Sequence, residues 1–556
     1  MKYIIIGAVA GGASAAARLR RLDESAEIIL FEKGAYVSFA NCGLPYYVGS
    51  VISDRNRLFV QTPSSLNERY RLDVRIQTEV LSINTQKKEV WVRNLLTGRE
   101  YAEAYDKLVL SPGAEPVRPP LPGIQHDRIF TLRTIHDSDR IRQFVDEKAI
   151  RKIVIIGAGF IGLEMAENFH RMGKAVTIVE MSDQILAPVD YPVAAIVQQH
   201  IRSKNVKLLL KTSVAGFEEE QDGVRVLFQS GSHEFADLVL LSIGVRADTG
   251  LAIAAGLKIG ARGGISVNSF LQTSNPDIYA VGDAIEFLNP LTGFSMPTFL
   301  AGPANKQGRI CADNIVLGNK REYNGSFNTA IVKIFDLTVG VTGVAAKQLQ
   351  AAKVSHRIST TTSSSHASYY PGHSNLIIQL VFNPENGRIL GAQSVGADGV
   401  DKRIDVLSSY ICHGKTVFDL GEFEHAYAPP FSSAKDPVNM AGFVAENILT
   451  DQLRIFYWNE LDQLQTDDVL LDVRTEEEFR NGHLNHAVNI PIDHLRTKLT
   501  MIPSGRRIFV YCESGLRGYL AQRILRQRGF SQVANLSGGY RIWKVCTEES
   551  RLLNES

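Results

Sequence analysis

The chain is patterned as short, continuously apolar runs set between helical segments. Tyr3-Ile-Ile-Ile-Gly7 ends on a glycine, an alanine-rich helical stretch follows Gly11-Gly12 through Arg21, and Glu27-Ile-Ile-Leu-Phe-Glu32 ends on an acid. Ile153-Val-Ile-Ile-Gly157, a helical stretch to Met172 and Ala175-Val-Thr-Ile-Val-Glu180 repeat that order. Apolar runs of this length bounded by glycine are strands buried on both faces, so each set predicts a βαβ unit of a parallel sheet. Tyr105 to Gly113 and Ala236 to Gly244 form a second matching pair, each a strand running into a glycine turn. The repeat predicts two nucleotide-binding folds, one interrupted by the other.

Beyond Gly325 the pattern changes. Strands are expected at Thr329–Phe335 and Asn375–Phe382, the Ser/Thr-rich stretch from Ser359 to Ser365 reads as a connecting loop, and Pro437 to Leu449 reads as a helix. From about Leu453 the runs Val469–Val473, Ala487–Ile490 and Arg507–Tyr511 alternate with polar helical segments, which predicts a separate small α/β domain.

The 556 residues carry 60 Lys+Arg against 59 Asp+Glu, with 44% hydrophobic and 21% charged residues. That balance supplies cores for several domains and argues against a disordered chain and against nucleic acid or an anionic membrane as a partner. Lys2, the apolar run to Ala13 and the small residues after it imitate a secretory signal. Gly7, Gly11 and Gly12 break that run and its pattern recurs internally, so a cytoplasmic protein is expected. Cys42, Cys311, Cys412, Cys512 and Cys546 have neither disulfide-framework nor zinc-ligand spacing, so no metal is expected and single thiols are free for chemistry.

Gly157, Gly159 and Gly162 fit G-x-G-x-x-G, which allows a tight turn, close approach of backbone to a pyrophosphate, and helix–strand packing. Glu180, eighteen positions beyond Gly162, suits ribose hydroxyls and repels a 2′-phosphate, which favours NADH over NADPH; Lys174 is the opposing charge nearby in sequence. In the first turn Val9 replaces the middle glycine, but Gly7, Gly11, Gly12 and the acid Glu32 remain. Gly282-Asp283 follows a short apolar strand; alone it is a turn, and beside two dinucleotide folds it suggests the acid that holds a flavin's ribityl chain.

In this order of units, residues 1 to about 448 resemble the flavoprotein disulfide reductases with two dinucleotide-binding domains. The resemblance implies an α/β protein with two Rossmann-like domains: FAD bound by residues 1–112 and 245–324, NAD(P)H by 113–244, and an α+β dimerisation domain at 325–449. It also implies FAD contacts from Lys33, Val80, Ser111, Gly113, Arg133 and Ala301, and a nicotinamide-nucleotide contact from Gly244.

Ser38-Phe-Ala-Asn-Cys42-Gly43-Leu-Pro-Tyr is similar to the active-site segment of the coenzyme A disulfide reductases and their persulfide-reductase relatives. A lone cysteine is more often a small buried hydrophobe. Here Asn41 and Gly43 form turns, and a helix N-terminus nearby is expected to lower the thiol pKa. No second cysteine follows before Cys311, so Cys42 is expected to act through a mixed disulfide, persulfide or sulfenic acid. The first turn, Ala8-Val9-Ala10, lacks the histidine of the related peroxidases. By resemblance Ser14, Arg18, Arg21, Ser38, Asn41, Arg71 and Lys435 bind the phosphate-bearing substrate, although a solvated helix face is an equal reading of the arginines. Tyr369 and Tyr427 resemble tyrosines that reach the active site from the other subunit of a homodimer, with the choice between Tyr369 and Tyr370 open.

In the C-terminal segment a strand runs into Cys512-Glu-Ser-Gly515-Leu-Arg517, a turn whose backbone N–H groups stabilise a thiolate or persulfide. Asp472-Val-Arg474, Glu478 to His483 and Gly538 to Trp543 complete a resemblance to a single rhodanese domain, placed at 454–556. A cysteine phosphatase loop is one residue longer, and an inactive partner-binding module is the bland alternative. The combined resemblance implies an NADH-dependent reductase of coenzyme A persulfide or polysulfide acting through Cys42, with Cys512 relaying sulfane sulfur. The rivals are a coenzyme A disulfide reductase for thiol balance and a sulfur carrier that loads a partner.

Overall fold

The computed structural model describes residues 1–555; Ser556, the last residue of the expected rhodanese domain, lies outside the described residues. The chain divides into two compact units, Met1–Met181 with Thr212–Asn328 and Ser182–Lys211 with Thr329–Ser556.

The first unit holds both nucleotide folds. Its first sheet orders the strands Ile278–Ala280, Lys107–Leu110, Lys2–Ile6, Glu27–Phe31 and Asp73–Arg75, all parallel. Ile4 pairs with Ile29 on one side and Leu108 on the other, all three fully buried, as the continuous apolar runs require. The second sheet sets Lys152–Ile156 between Ala175–Val179 and Leu238–Leu241, with Ile129–Phe130 beyond, again parallel. The repeat is visible in the turns. Gly7 (φ +94°) and Gly157 (φ +104°) take the left-handed conformation, and a Cβ at either would fall 2.0 Å from the Ser111 carbonyl oxygen or 2.2 Å from that of Ser242. The helix Ala10–Leu22 packs on Ala301–Leu317 so closely that a Cβ on Gly308 would meet the Gly11 carbonyl at 2.4 Å.

The second unit contains an antiparallel sheet ordered Ala330–Ile334, Leu337–Gly343, Ile389–Gly396, Asn375–Phe382 and Arg357–Ser364. The last strand corrects the loop expected over Ser359–Ser365. Its eight residues pair with Asn375–Phe382 throughout, and Ser359 and Thr361 are buried. Hydroxyl side chains masked a strand whose threonines suit the extended backbone and whose backbone groups the ladder satisfies. The C-terminal sheet is parallel, ordered Ile455–Phe456, Val533–Leu536, Ile508–Tyr511, Val469–Asp472 and Val488–Asn489, with helices Leu516–Gln527 and Gly539–Glu555.

The helix Tyr191–Ser203 lies within the span expected for the NAD(P)H domain, yet it packs in the second unit, against Gly539–Glu555. Gln198 and Arg202 bond the buried Glu549 at 3.1 and 3.3 Å, and Tyr191 stacks on Trp458. The adjoining Asp190 is buried and takes the side-chain amides of Gln379 and Gln393 at 2.7 and 2.6 Å. Among the described residues no helix is long and apolar enough to cross a membrane.

Candidate functional site

A cavity of about 1710 Å³ in the first unit is lined by both the first glycine turn and the Cys42 segment. Gly7, Gly11, Glu32 and Lys33 contribute to it, as do Val80, Ser111, Gly113, Arg133, Gly282, Asp283 and Ala301. Glu32 accepts hydrogen bonds from the Ala8 and Gly34 N–H groups at 2.9 and 2.8 Å, while burial holds its carboxyl above the ordinary range against those two donors. Asp283 pairs with Arg133 at 2.9 Å, and Gln307 fixes the turn by accepting the Gly282 N–H at 2.7 Å. Gly12 departs from the expectation of a flavin contact. It does not line the cavity, and its missing Cβ lets the helix sit on the Gly7 carbonyl, which that Cβ would approach to 1.8 Å. A helix start, a ribose-distance acid and a second carboxylate in one cleft fit a dinucleotide. The volume exceeds the roughly 300–1,000 Å³ of single-ligand pockets and leaves room for another ligand at the thiol.

Cys42 sits in a 3₁₀ turn, Asn41–Gly43, ahead of the five-residue helix Leu44–Val48. Its side chain is solvent-accessible, yet the thiol is pushed above its ordinary value. The protein mass around the cavity is the main cause, followed by the carboxylates of Glu164 and Asp283, with Arg133 opposing. This corrects the expected lowering: one helical turn has too small a dipole to offset desolvation and two acids. Glu164, on the helix Phe160–Arg171, accepts the Tyr46 hydroxyl at 3.1 Å, and burial holds its own carboxyl high. Neither residue was singled out by sequence, although Glu164 lies two positions beyond the fingerprint glycine Gly162.

Of the residues expected to bind the substrate, Ser14, Arg21, Ser38 and Asn41 line the cavity. The Ser14 hydroxyl donates to Asn305 Oδ1 at 2.5 Å, and Arg309 joins from the same Ala301–Leu317 helix. Sequence reasoning missed Asn305 and Arg309 because only helix packing brings them to the cavity that Ser14 lines. Two expected cations lie elsewhere. Arg18 donates to the buried Asp313 at 2.7 Å, and Arg71 is an exposed left-handed helix cap whose carbonyl accepts from Arg20; neither lines the cavity. Lys435 is exposed in the second unit.

The second fingerprint mirrors the first: Glu180 accepts the Ala158 N–H at 2.9 Å as Glu32 accepts that of Ala8. A Cβ on Gly162 would meet the Gly157 carbonyl at 2.2 Å, whereas Gly159 and Gly244 face open space.

In the second unit the hydroxyls of Tyr369 and Tyr427 lie 2.9 Å apart, both exposed. Tyr370 instead sets its ring edge-on to His366. The Cys512 side chain is buried, and its sulfur accepts the Gly515 N–H at 3.1 Å. Gly539 lets the chain cross the loop, since a Cβ there would meet the Cys512 carbonyl at 2.6 Å. Both terminal nitrogens of Arg517 bind Glu478, at 2.6 and 2.7 Å, and that pairing holds the Glu478 carboxyl at about 2. Burial pushes the thiols of Cys311 and Cys546 far up, which leaves them inert at neutral pH. Among the described residues no cluster of His, Cys, Asp and Glu is suited to a metal ion.

Three family models match: pyridine nucleotide-disulphide oxidoreductase over residues 1–305, the dimerisation domain of that family over 329–437, and a rhodanese-like domain over 457–546. Coenzyme A disulfide reductase of Staphylococcus aureus (strain bovine RF122 / ET3-1) is 36% identical over 445 residues, 80% of this chain and all of that one. The structure of reduced Bacillus anthracis CoADR-RHD is 44% identical with a TM-score of 0.97, covering 99% of this chain and 98% of that one. An NAD-dependent persulfide reductase from A. fulgidus is 36% identical with a TM-score of 0.91, covering 98% of this chain and 100% of that one. Family membership implies FAD and a nicotinamide nucleotide as cofactors. With these matches the chain belongs to the pyridine nucleotide-disulphide oxidoreductase family, as an oxidoreductase fused to a rhodanese-like domain.

Proposed function

We propose that the protein is an NADH-dependent reductase of coenzyme A persulfide or polysulfide that releases hydrogen sulfide through Cys42. The observation that carries this is the setting of the thiol. Cys42 opens, with no second cysteine beside it, onto the cavity that fits a dinucleotide and holds Arg21 and Arg309. The relatives named for coenzyme A disulfide and persulfide reduction support the same substrates.

In this reading the Cys42 thiolate attacks the outer sulfur of the persulfide; the Sγ–S bond forms, the donor's S–S bond breaks, and coenzyme A leaves as its thiolate. The Cys42 persulfide then takes two electrons and a proton, which returns the thiolate and releases HS⁻. Bound FAD supplies the route by which the nicotinamide's electron pair reaches that bond. Gly7, Gly11, Glu32, Ser111, Asp283 and their cavity neighbours hold the flavin nucleotide, while Gly159 and Glu180 hold NADH. The protein acts as a homodimer in the cytoplasm, the Tyr369–Tyr427 pair of one protomer protonating the coenzyme A thiolate displaced when Cys42 of the partner subunit attacks, with Lys435 aiding phosphate binding. Cys512 accepts sulfane sulfur and passes it to coenzyme A or to Cys42.

A second reading, reduction of coenzyme A disulfide through a Cys42 mixed disulfide, is favoured by the relative named for that reaction, all of which matches 445 residues of this chain. Steady-state NADH oxidation with coenzyme A persulfide, polysulfide and coenzyme A disulfide side by side decides between them. The expected result is the highest kcat/KM on the persulfide or polysulfide, with one sulfide released per NADH. A disulfide preferred over both would overturn it. Sulfur loading of a partner protein that is lost in Cys512→Ala but proceeds without NADH would support the carrier role instead.

A further inference from the structure

Three arginines surround the Cys512 loop and each is bound to an acid. Arg517, which closes the loop, is engaged bidentately by Glu478. Arg474 is buried on Asp472 at 2.7 Å and reaches Glu513 at 3.7 Å. Arg541 binds Glu513 at 3.2 Å, and Glu513 is the residue next to the thiol. The three positive charges are therefore matched by three negative ones, and the loop's nearest cation has its fork filled. Between Gly515 and Arg517 the loop presents Leu516, 62% exposed, with Leu520 one turn on at 45%.

Such a mouth is poorly suited to an inorganic dianion, which needs an uncompensated cation to offset its desolvation. It suits a sulfane sulfur carried on an organic thiol, whose charge at the reacting end is smaller and whose stem meets the leucines. Resting on the reading of Cys512 as a sulfane-sulfur acceptor, we propose that Glu478 sets donor specificity: by occupying Arg517 it disfavours thiosulfate and reserves the thiol for organic persulfides. The step is the same for either donor. The Cys512 thiolate attacks the sulfane sulfur, the Sγ–S bond forms, the donor's S–S bond breaks, and the electron pair leaves on the organic thiolate or on sulfite, with no net oxidation.

The test uses the full chain, cyanide as acceptor, and thiosulfate and glutathione persulfide as donors. Glu478 also caps the helix Glu476–Arg480 by accepting the Thr475 N–H at 2.9 Å, a bond the amide oxygen of Glu478→Gln preserves. Glu478→Gln is expected to raise the ratio of kcat/KM for thiosulfate to that for glutathione persulfide about tenfold or more. Glu478→Asp, which keeps the charge, is expected to retain the wild-type preference. A ratio unchanged in Glu478→Gln, or raised equally in Glu478→Asp, overturns the proposal. Cys512→Ser separates the underlying reading: transfer from both donors must vanish, and transfer that persists refutes Cys512 as the acceptor whatever Glu478 does.

Discussion

The phenol oxygens of Tyr369 and Tyr427, 58 residues apart in sequence, lie 2.9 Å from each other. Both side chains are exposed, and the hydrogen bond shared with Tyr427 holds the Tyr369 hydroxyl above its ordinary value. The pair is held by the chain itself, since the Ala367 N–H donates to the Ser432 carbonyl at 3.0 Å and joins the two loops. Tyr369→Phe and Tyr427→Phe are each expected to lower kcat for NADH-driven reduction by about a hundredfold. The double variant should cost less than the product of the two, because each phenol acts through the other. Tyr370→Phe, whose ring packs on His366, should leave kcat near wild type.

The raised Cys42 thiol has a direct kinetic signature. Its thiolate fraction, and hence its alkylation rate, climbs with pH through a midpoint above the ordinary thiol range. Glu164→Gln removes a negative charge that disfavours the thiolate, so the midpoint should move to lower pH and alkylation at neutral pH should quicken. A midpoint that stays in place or rises would show that Glu164 does not act on the thiol.

The fingerprint glycines separate folding from binding. A Cβ on Gly162 collides with the Gly157 carbonyl at 2.2 Å, and one on Gly159 touches nothing within 4 Å. Gly162→Ala should therefore destabilise the protein by about 1–3 kcal/mol in thermal or denaturant unfolding. Gly159→Ala should unfold like wild type while raising KM for NADH about tenfold, since the methyl occupies the path of the pyrophosphate.

The buried pair Arg403–Asp436, at 2.9 Å, lies beneath the tyrosine loops, and Arg403 also donates to the Ser365 carbonyl at 2.8 Å. Burial alone would raise the Asp436 carboxyl, but Arg403 and Ser432 outweigh it and hold it below the ordinary value. A carboxyl lowered by folding contributes stability above its unfolded pKa and loses it as pH falls through the folded one. Arg403→Met should cost about 3–5 kcal/mol at neutral pH, because an unpaired buried carboxylate remains. The variant's deficit should shrink in unfolding measurements taken below the ordinary carboxylate range.

The nucleotide folds were legible because their glycines and apolar strands act locally: Gly7 and Gly157 each need a left-handed turn, and Glu32 and Glu180 each close it from the next strand. What sequence left out depends on contacts across long separations. Asn305 reaches Ser14, and Arg309 the cavity, only through helix packing, and Arg18 is drawn away by Asp313 on the same partner helix. The Ser/Thr-rich strand Arg357–Ser364 was missed because composition outweighed its β-branched pattern. The direction of the Cys42 shift was misread because desolvation and the Glu164 carboxylate appear only once the second fingerprint helix is in place.

The most direct test of the central claim is sulfide release from polysulfide with NADH by Cys42→Ser, with FAD content checked by absorbance. Turnover should fall by at least about three orders of magnitude with flavin still bound, since serine supplies no thiolate for exchange. Sulfide release at the wild-type rate from a flavin-loaded Cys42→Ser enzyme would contradict the account.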